Sequence, residues 1–191
     1  MTRTRGTAVI AVVLLLGAVL SACAGGIDGT GDKGYIDGKG IITELPVAQR
    51  KAPGPVEGKT LEGKQISLAD YRGKVVVINV WWSQCGPCRA EASDLNAAAR
   101  ELTPKGVVFF GINTRDASQA LGKAYERNQK VPYPSLYDDD GSVLLAFHST
   151  LPPNAIPSTV ILDKQGRVAA SILGQIPSTT TLVDLVQDAS K

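Results

Sequence analysis

Val75-Val76-Val77-Ile78-Asn79-Val80-Trp81, followed three residues later by Cys85-Gly86-Pro87-Cys88, is the stretch from which the rest of the chain can be read. The first run is almost continuous in β-branched and aromatic residues, which suits a strand covered on both faces and so the centre of a sheet. Beyond it, Cys88, Ala92, Leu95, Ala99 and Leu102 recur at intervals of four, three, four and three, placing them on one face of a helix. Pro87 is tolerated only in the first turn of that helix, where its missing N–H has no partner to lose, so the helix starts at or just before Cys85. Two cysteines three apart in one helical turn can close a disulfide. The first faces the unpaired amides of the helix start, and these favour a thiolate over a thiol. Cys85 is the predicted nucleophile. Cys88, a turn deeper and less exposed, suits attack on a mixed disulfide at Cys85. A purely structural bridge is the alternative, although closing two intervening residues removes little chain entropy. A half zinc site lacks partners, and haem attachment needs a histidine where Arg89 stands.

Working outward, residues 107–113 form a second covered strand, which Gly106 separates from the preceding helix. Residues 159–162, the turn 163–166 and residues 168–173 have the pattern of a hairpin. Two parallel strands are thus expected to join an antiparallel pair. Helices are predicted over 119–129 and over 182–189, the latter capped by the threonines before it. Turn clusters at 131–134 and 138–141 flank a short strand, 135–137, so residues 116–147 read as an insertion of helix, strand and short helix. The alternation predicts one α/β domain over 52–191, a central mixed β-sheet with flanking helices.

The start of the chain has a different character. Arg3 and Arg5 precede residues 8–20, thirteen small or apolar residues ending at Leu20-Ser21-Ala22-Cys23. A membrane-crossing helix needs about 20 apolar residues, so residues 1–22 read as a signal peptide. The tetrad resembles a bacterial lipobox, which implies lipidation at Cys23. Residues 23–51, rich in Gly and charge at their start, are expected to form a flexible, lipid-anchored linker. Residues 35–45 hold β-formers around Asp37-Gly38, with Lys39-Gly40 as a competing turn, and are expected to make an N-terminal β-hairpin ahead of the domain.

The strand, the Cys85-Gly86-Pro87-Cys88 motif, the helix, and Ile156-Pro157-Ser158-Thr159 before the late hairpin together resemble the thioredoxin superfamily. With the lipobox, the lead-in over residues 61–74 and the insertion after Asp116, the resemblance narrows to its anchored extracytoplasmic thiol-disulfide oxidoreductases of the TlpA and ResA type. It implies a thioredoxin-like fold and a cis peptide bond at Pro157 against the cysteine pair. It implies a role for Glu91 in proton transfer, the more so because Asn79 stands where cytoplasmic thioredoxins carry a buried aspartate. Gly86, Pro87, Ile156, Trp82 and Gln84 are implied as the substrate-binding surface. Gln84 is a departure, since the family usually has tryptophan there.

Composition bounds the function. There are 20 basic residues, and once Arg3 and Arg5 are set aside the rest balance the 18 acidic ones, so no electrostatic footprint for nucleic acid is left. Three cysteines and one histidine are too few for a disulfide scaffold or a four-ligand zinc site, and no metal or cofactor beyond the Cys85–Cys88 disulfide is expected. The expected protein is a monomer on the extracytoplasmic face of a bacterial membrane. The resemblance implies that it exchanges electrons with thiol or disulfide proteins such as apocytochrome c, and with a membrane electron donor. The Gly-Pro pair between the cysteines favours a reductant over a disulfide-forming oxidase. Two rivals remain: a peroxiredoxin-like peroxidase, for which Ser83 is the only local match, and a copper chaperone using Cys85, Cys88 and His148.

Overall fold

The computed structural model describes residues 35–37, 40–152 and 154–191, the first three by backbone pairing alone, and these belong to one contact unit, residues 33–191. Cys23 and the signal-peptide reading lie outside the described residues. At the centre is β5 (Val76–Trp81), every residue of it buried. It runs parallel to β6 (Val108–Thr114) and antiparallel to β8 (Ser158–Leu162). The hairpin partner β9 (Val168–Gly174) and β7 (Ser135–Asp138) extend the sheet, and with β1 (Tyr35–Asp37) and β2 (Gly40–Glu44) its full order is β1-β2-β9-β8-β5-β6-β7. β7 pairs parallel to β6, so the insertion adds a third parallel strand to the expected two.

Alternation along β5 separates two cores. Val75 and Val77 point to the face covered by Leu95, Ala99 and Leu102 of α1 (Gly86–Leu102) and by Leu182, Leu185 and Val186 of α3 (Thr179–Ala189). Val76, Ile78 and Val80 point the other way, against Val56, Ile66, Leu144, Phe147 and Leu151. The predicted helix over 119–129 is observed as α2 (Gln119–Gln129). α3 starts three residues before its predicted range. Its cap is Ser178, whose side chain accepts the Thr181 amide, while Thr179 donates its hydroxyl to Asp94. Among the described residues no helix is long and apolar enough to cross a membrane.

One boundary is corrected. The linker was expected to run to residue 51, but β2 (Gly40–Glu44) pairs antiparallel with β9 along its whole length. Leu45 then donates to the Ala169 carbonyl, and Val168 donates to that of Lys51. Without β2 the edge of β9 would carry a row of unpaired amides and carbonyls, the groups a sheet edge must cover. The hairpin exists, with β1 (Tyr35–Asp37) pairing β2 in the register Asp37↔Gly40, yet it belongs to the central sheet rather than standing ahead of it. Ile42 is buried and Ile41 exposed, a two-residue alternation too short to stand out between glycines and charges. A second hairpin, β3 (Glu57–Lys59) with β4 (Gln65–Ser67), occupies part of the lead-in segment.

Candidate active site

β5 ends at Trp81, and the chain turns through Trp82, Ser83 and Gln84 into the N-terminus of α1, where Cys85 is the capping residue. Its sulfur accepts the backbone N–H of Cys88 at 3.1 Å and is joined to the Cys88 sulfur in a disulfide, the Cα atoms 5.2 Å apart. A cysteine at N-cap thus does what Ser or Asp does there, and a negative charge on its sulfur would meet the same amide. Cys85 is 5% exposed and Cys88 1%, the expected order.

The pair sits in an apolar cluster with Leu61, Trp81 and Tyr125, against which Trp82 and Ile156 pack half-buried. Gln84, Gly86 and Pro87 form the exposed rim. Ile156–Pro157 is a cis peptide bond, and the register Val80↔Ser158 brings this loop beside the end of β5. The six residues expected at the pair and its rim therefore lie with Ile156 and Pro157 at one end of the sheet.

Glu91, one turn beyond Cys88, is wholly buried, which excludes a solvated helix glutamate. Its carboxylate accepts the Ile176 backbone N–H at 2.8 Å and the Asn79 amide at 3.0 Å. Burial pushes its carboxyl up to about 7, the two hydrogen bonds oppose the shift, and the Asp94 charge adds to it. Asn79 thus has a place in the site, because its Nδ2 donates to the Glu91 carboxylate and orients it.

Two positioning residues were not legible in the sequence. Tyr125 stacks on Trp81, ring centroids 4.3 Å apart, and donates its hydroxyl to the Cys88 carbonyl at 2.9 Å. Burial, and then the Glu91 charge, holds that hydroxyl above the usual tyrosine range, so it acts as a donor. Asp116 accepts from Ser83, both N–H and hydroxyl, and from the Asn113 amide, fixing the turn that leads into Cys85. Tyr125 is 37 residues from Cys88 and Asp116 is 33 from Ser83, so no local pattern marks either. His148 is exposed, its Nδ1 beside the Leu145 carbonyl, and among the described residues no group of three or more His, Cys, Asp or Glu is placed to hold a metal.

The family model described as the AhpC/TSA family matches residues 48–171, well over half of the chain. The chain belongs to the AhpC/TSA family. Within it, this AhpC/TSA-family chain is similar to named thiol-disulfide oxidoreductases. It is 29% identical over 115 residues to thiol-disulfide oxidoreductase ResA of Bacillus thuringiensis subsp. konkukian, an alignment that covers 60% of this chain and 64% of that protein. It is 32% identical over 127 residues to ResA of Geobacillus thermodenitrificans, covering 66% and 68%. The chain thus spans about two thirds of the length of these curated relatives. Among solved structures, the secreted thiol-disulfide isomerase of Corynebacterium glutamicum superposes with a TM-score of 0.73 at 31% identity, covering 81% of this chain and 94% of the other. The DsbF homologue of Corynebacterium diphtheriae superposes with a TM-score of 0.69 at 31% identity, covering 77% and 92%. The thioredoxin-like fold expected from the cysteine motif and the Pro157 loop is the fold of this AhpC/TSA-family domain.

Proposed function

We propose that the protein is an extracytoplasmic thiol-disulfide oxidoreductase that reduces disulfides in polypeptide substrates through Cys85 and Cys88. One observation carries this reading: the Cys85 sulfur caps α1 and takes the Cys88 amide, with its partner sulfur in bonding reach and the Ile156–Pro157 loop beside it. In the reducing direction the Cys85 thiolate attacks a substrate disulfide, forming a mixed disulfide and releasing one substrate thiolate. Cys88, having lost its proton, attacks the Cys85 sulfur, releases the second substrate thiol and closes the Cys85–Cys88 disulfide, so two electrons pass to the substrate. Glu91, a turn away and with a carboxyl titrating at about 7, is the group proposed to take the Cys88 proton. Gly86, Pro87, Gln84, Trp82 and Ile156 would form the docking surface, and Pro157 would present backbone to an extended peptide.

On the resemblance carried by the Cys85-Gly86-Pro87-Cys88 motif and the Pro157 loop, apocytochrome c is the proposed substrate class and a membrane donor the proposed source of electrons. The protein reduced by that donor is expected to reduce insulin disulfides, seen as turbidity from the released B chain, and to show a two-electron potential near that of thioredoxin, roughly −270 mV. A potential nearer roughly −120 mV would instead make it a disulfide-forming oxidase. The anchor is a separate part of the proposal. Metabolic labelling with a fatty acid is expected to label the wild type and not Cys23→Ser, and label retained in that variant would remove the anchor.

A further inference from the structure

At the end of β6, where Thr114 and Arg115 precede Asp116, is a cavity of about 310 Å³ whose walls the exchange chemistry has not used. Leu144 and Leu151, both buried, form its apolar wall, and Leu145, 62% exposed, stands at its lip. Its polar lining is Thr114, Arg115, His148 and the exposed pair Asp139 and Asp140, whose two carboxylates lie on the same rim as the one guanidinium. Its size is at the small end of the roughly 300–1,000 Å³ typical of ligand sites, which suits one or two side chains rather than a macrocycle.

Two hydrogen bonds link the walls of the cavity to the segments that flank the redox site. Arg115, just past the end of β6, has a left-handed conformation, φ 63°, and Asp116 follows it directly. Asp116 holds Ser83 in the turn before Cys85. Arg115 lines the cavity and donates to the Asn154 side chain at 2.9 Å, in the loop that leads to Ile156 and Pro157. Asn154 is three residues from Pro157, a path of at most ~11 Å. A strand-like peptide docked at Pro157 advances ~3.3 Å per residue, so it reaches the cavity about three to five residues from its reacting cysteine.

We infer that this cavity is a specificity subsite of the exchange reaction proposed above, on which it rests, and that it takes a large apolar side chain of an unfolded polypeptide substrate with an adjacent basic residue facing Asp139 and Asp140. The apolar wall selects the first and the adjacent carboxylates of Asp139 and Asp140 the second.

The test uses the full-length chain, two variants, Leu145→Ser and Asp139→Asn, and disulfide-linked peptides with Leu-Lys or Ala-Ser placed three to five residues to either side of the cysteine. DTNB, too small to reach the cavity, is the control. Wild type is expected to show a KM about tenfold lower for a Leu-Lys peptide than for its Ala-Ser counterpart. Leu145→Ser removes most of that preference and Asp139→Asn part of it, with kcat, the DTNB rate and the midpoint potential unchanged. Equal KM values for the two peptides on both sides, or a preference that survives both substitutions, would overturn the subsite while leaving the exchange reading intact. Failure of wild type to reduce DTNB and every peptide would overturn both.

Discussion

Cys88→Ala is expected to convert the protein into a covalent trap. The alanine keeps the backbone N–H that points at the Cys85 sulfur, so the thiolate-favouring geometry of the α1 N-terminus survives the change. It removes the sulfur that is bonded to Cys85 and so placed to resolve a mixed disulfide, and substrates that react with Cys85 remain attached. Non-reducing gels of cells expressing Cys88→Ala should show higher-mass adducts that collapse with dithiothreitol. Cys85→Ala should show none, and each variant should lose insulin reduction to background. If Cys88→Ala forms no adduct while wild type is equally inert toward insulin, dithiol exchange is not the function of this site. The packing argues against destabilisation as a confounder, because Cys88→Ala removes one buried sulfur from a cluster still held by Leu61, Trp81 and Tyr125.

Folding stability should fall as pH rises through the range set by Glu91. Its carboxyl is raised by burial from an ordinary 4.5 to about 7, so between these values the folded state holds a proton that the unfolded chain has lost. Stability from this group is therefore greatest below about 4.5 and declines as pH rises to about 7. At ~1.4 kcal/mol per pH unit the decline amounts to about 3 kcal/mol. Other groups titrate in the same range, so the informative quantity is the difference between wild type and Glu91→Gln, followed by urea denaturation of the oxidised protein at several pH values. Glutamine cannot ionise, and this component of the slope should vanish in it. Glutamine also turns an NH₂ toward a site where both partners, Asn79 and the Ile176 amide, are donors, a cost that lowers stability by the same amount at every pH. Parallel pH curves for the two proteins would show that Glu91 is not held as a neutral acid near pH 6. The same variant should slow release of substrate from the mixed disulfide if Glu91 takes the Cys88 proton.

What could be read from the linear chain is what short-range physics encodes. The β-branched run at 75–81 made a strand because stiff side chains suit a pleated surface covered on both faces, and it became β5, at the centre of the sheet. The four-and-three spacing behind Cys88 made one helical face, and Pro87 bounded the start of α1. The position of Cys85 at a helix start followed from these two facts alone, and with it the chemistry of the pair. Contacts between distant segments were decided only in three dimensions. Residues 40–44 look like linker by composition, and only the unpaired edge of β9 gives them a place in the sheet. Glu91 reads as a helix residue at the edge of an apolar stripe. Its complete burial, and hence its near-neutral titration, comes from Asn79 on β5 and the Ile176 amide after β9, groups 12 and 85 residues away. Asp116 and Tyr125 support the cysteine turn from the insertion by hydrogen bonds that span more than thirty residues. Local propensity and period lie within a few residues, whereas desolvation and hydrogen-bond partnership belong to neighbours that only the folded chain assembles.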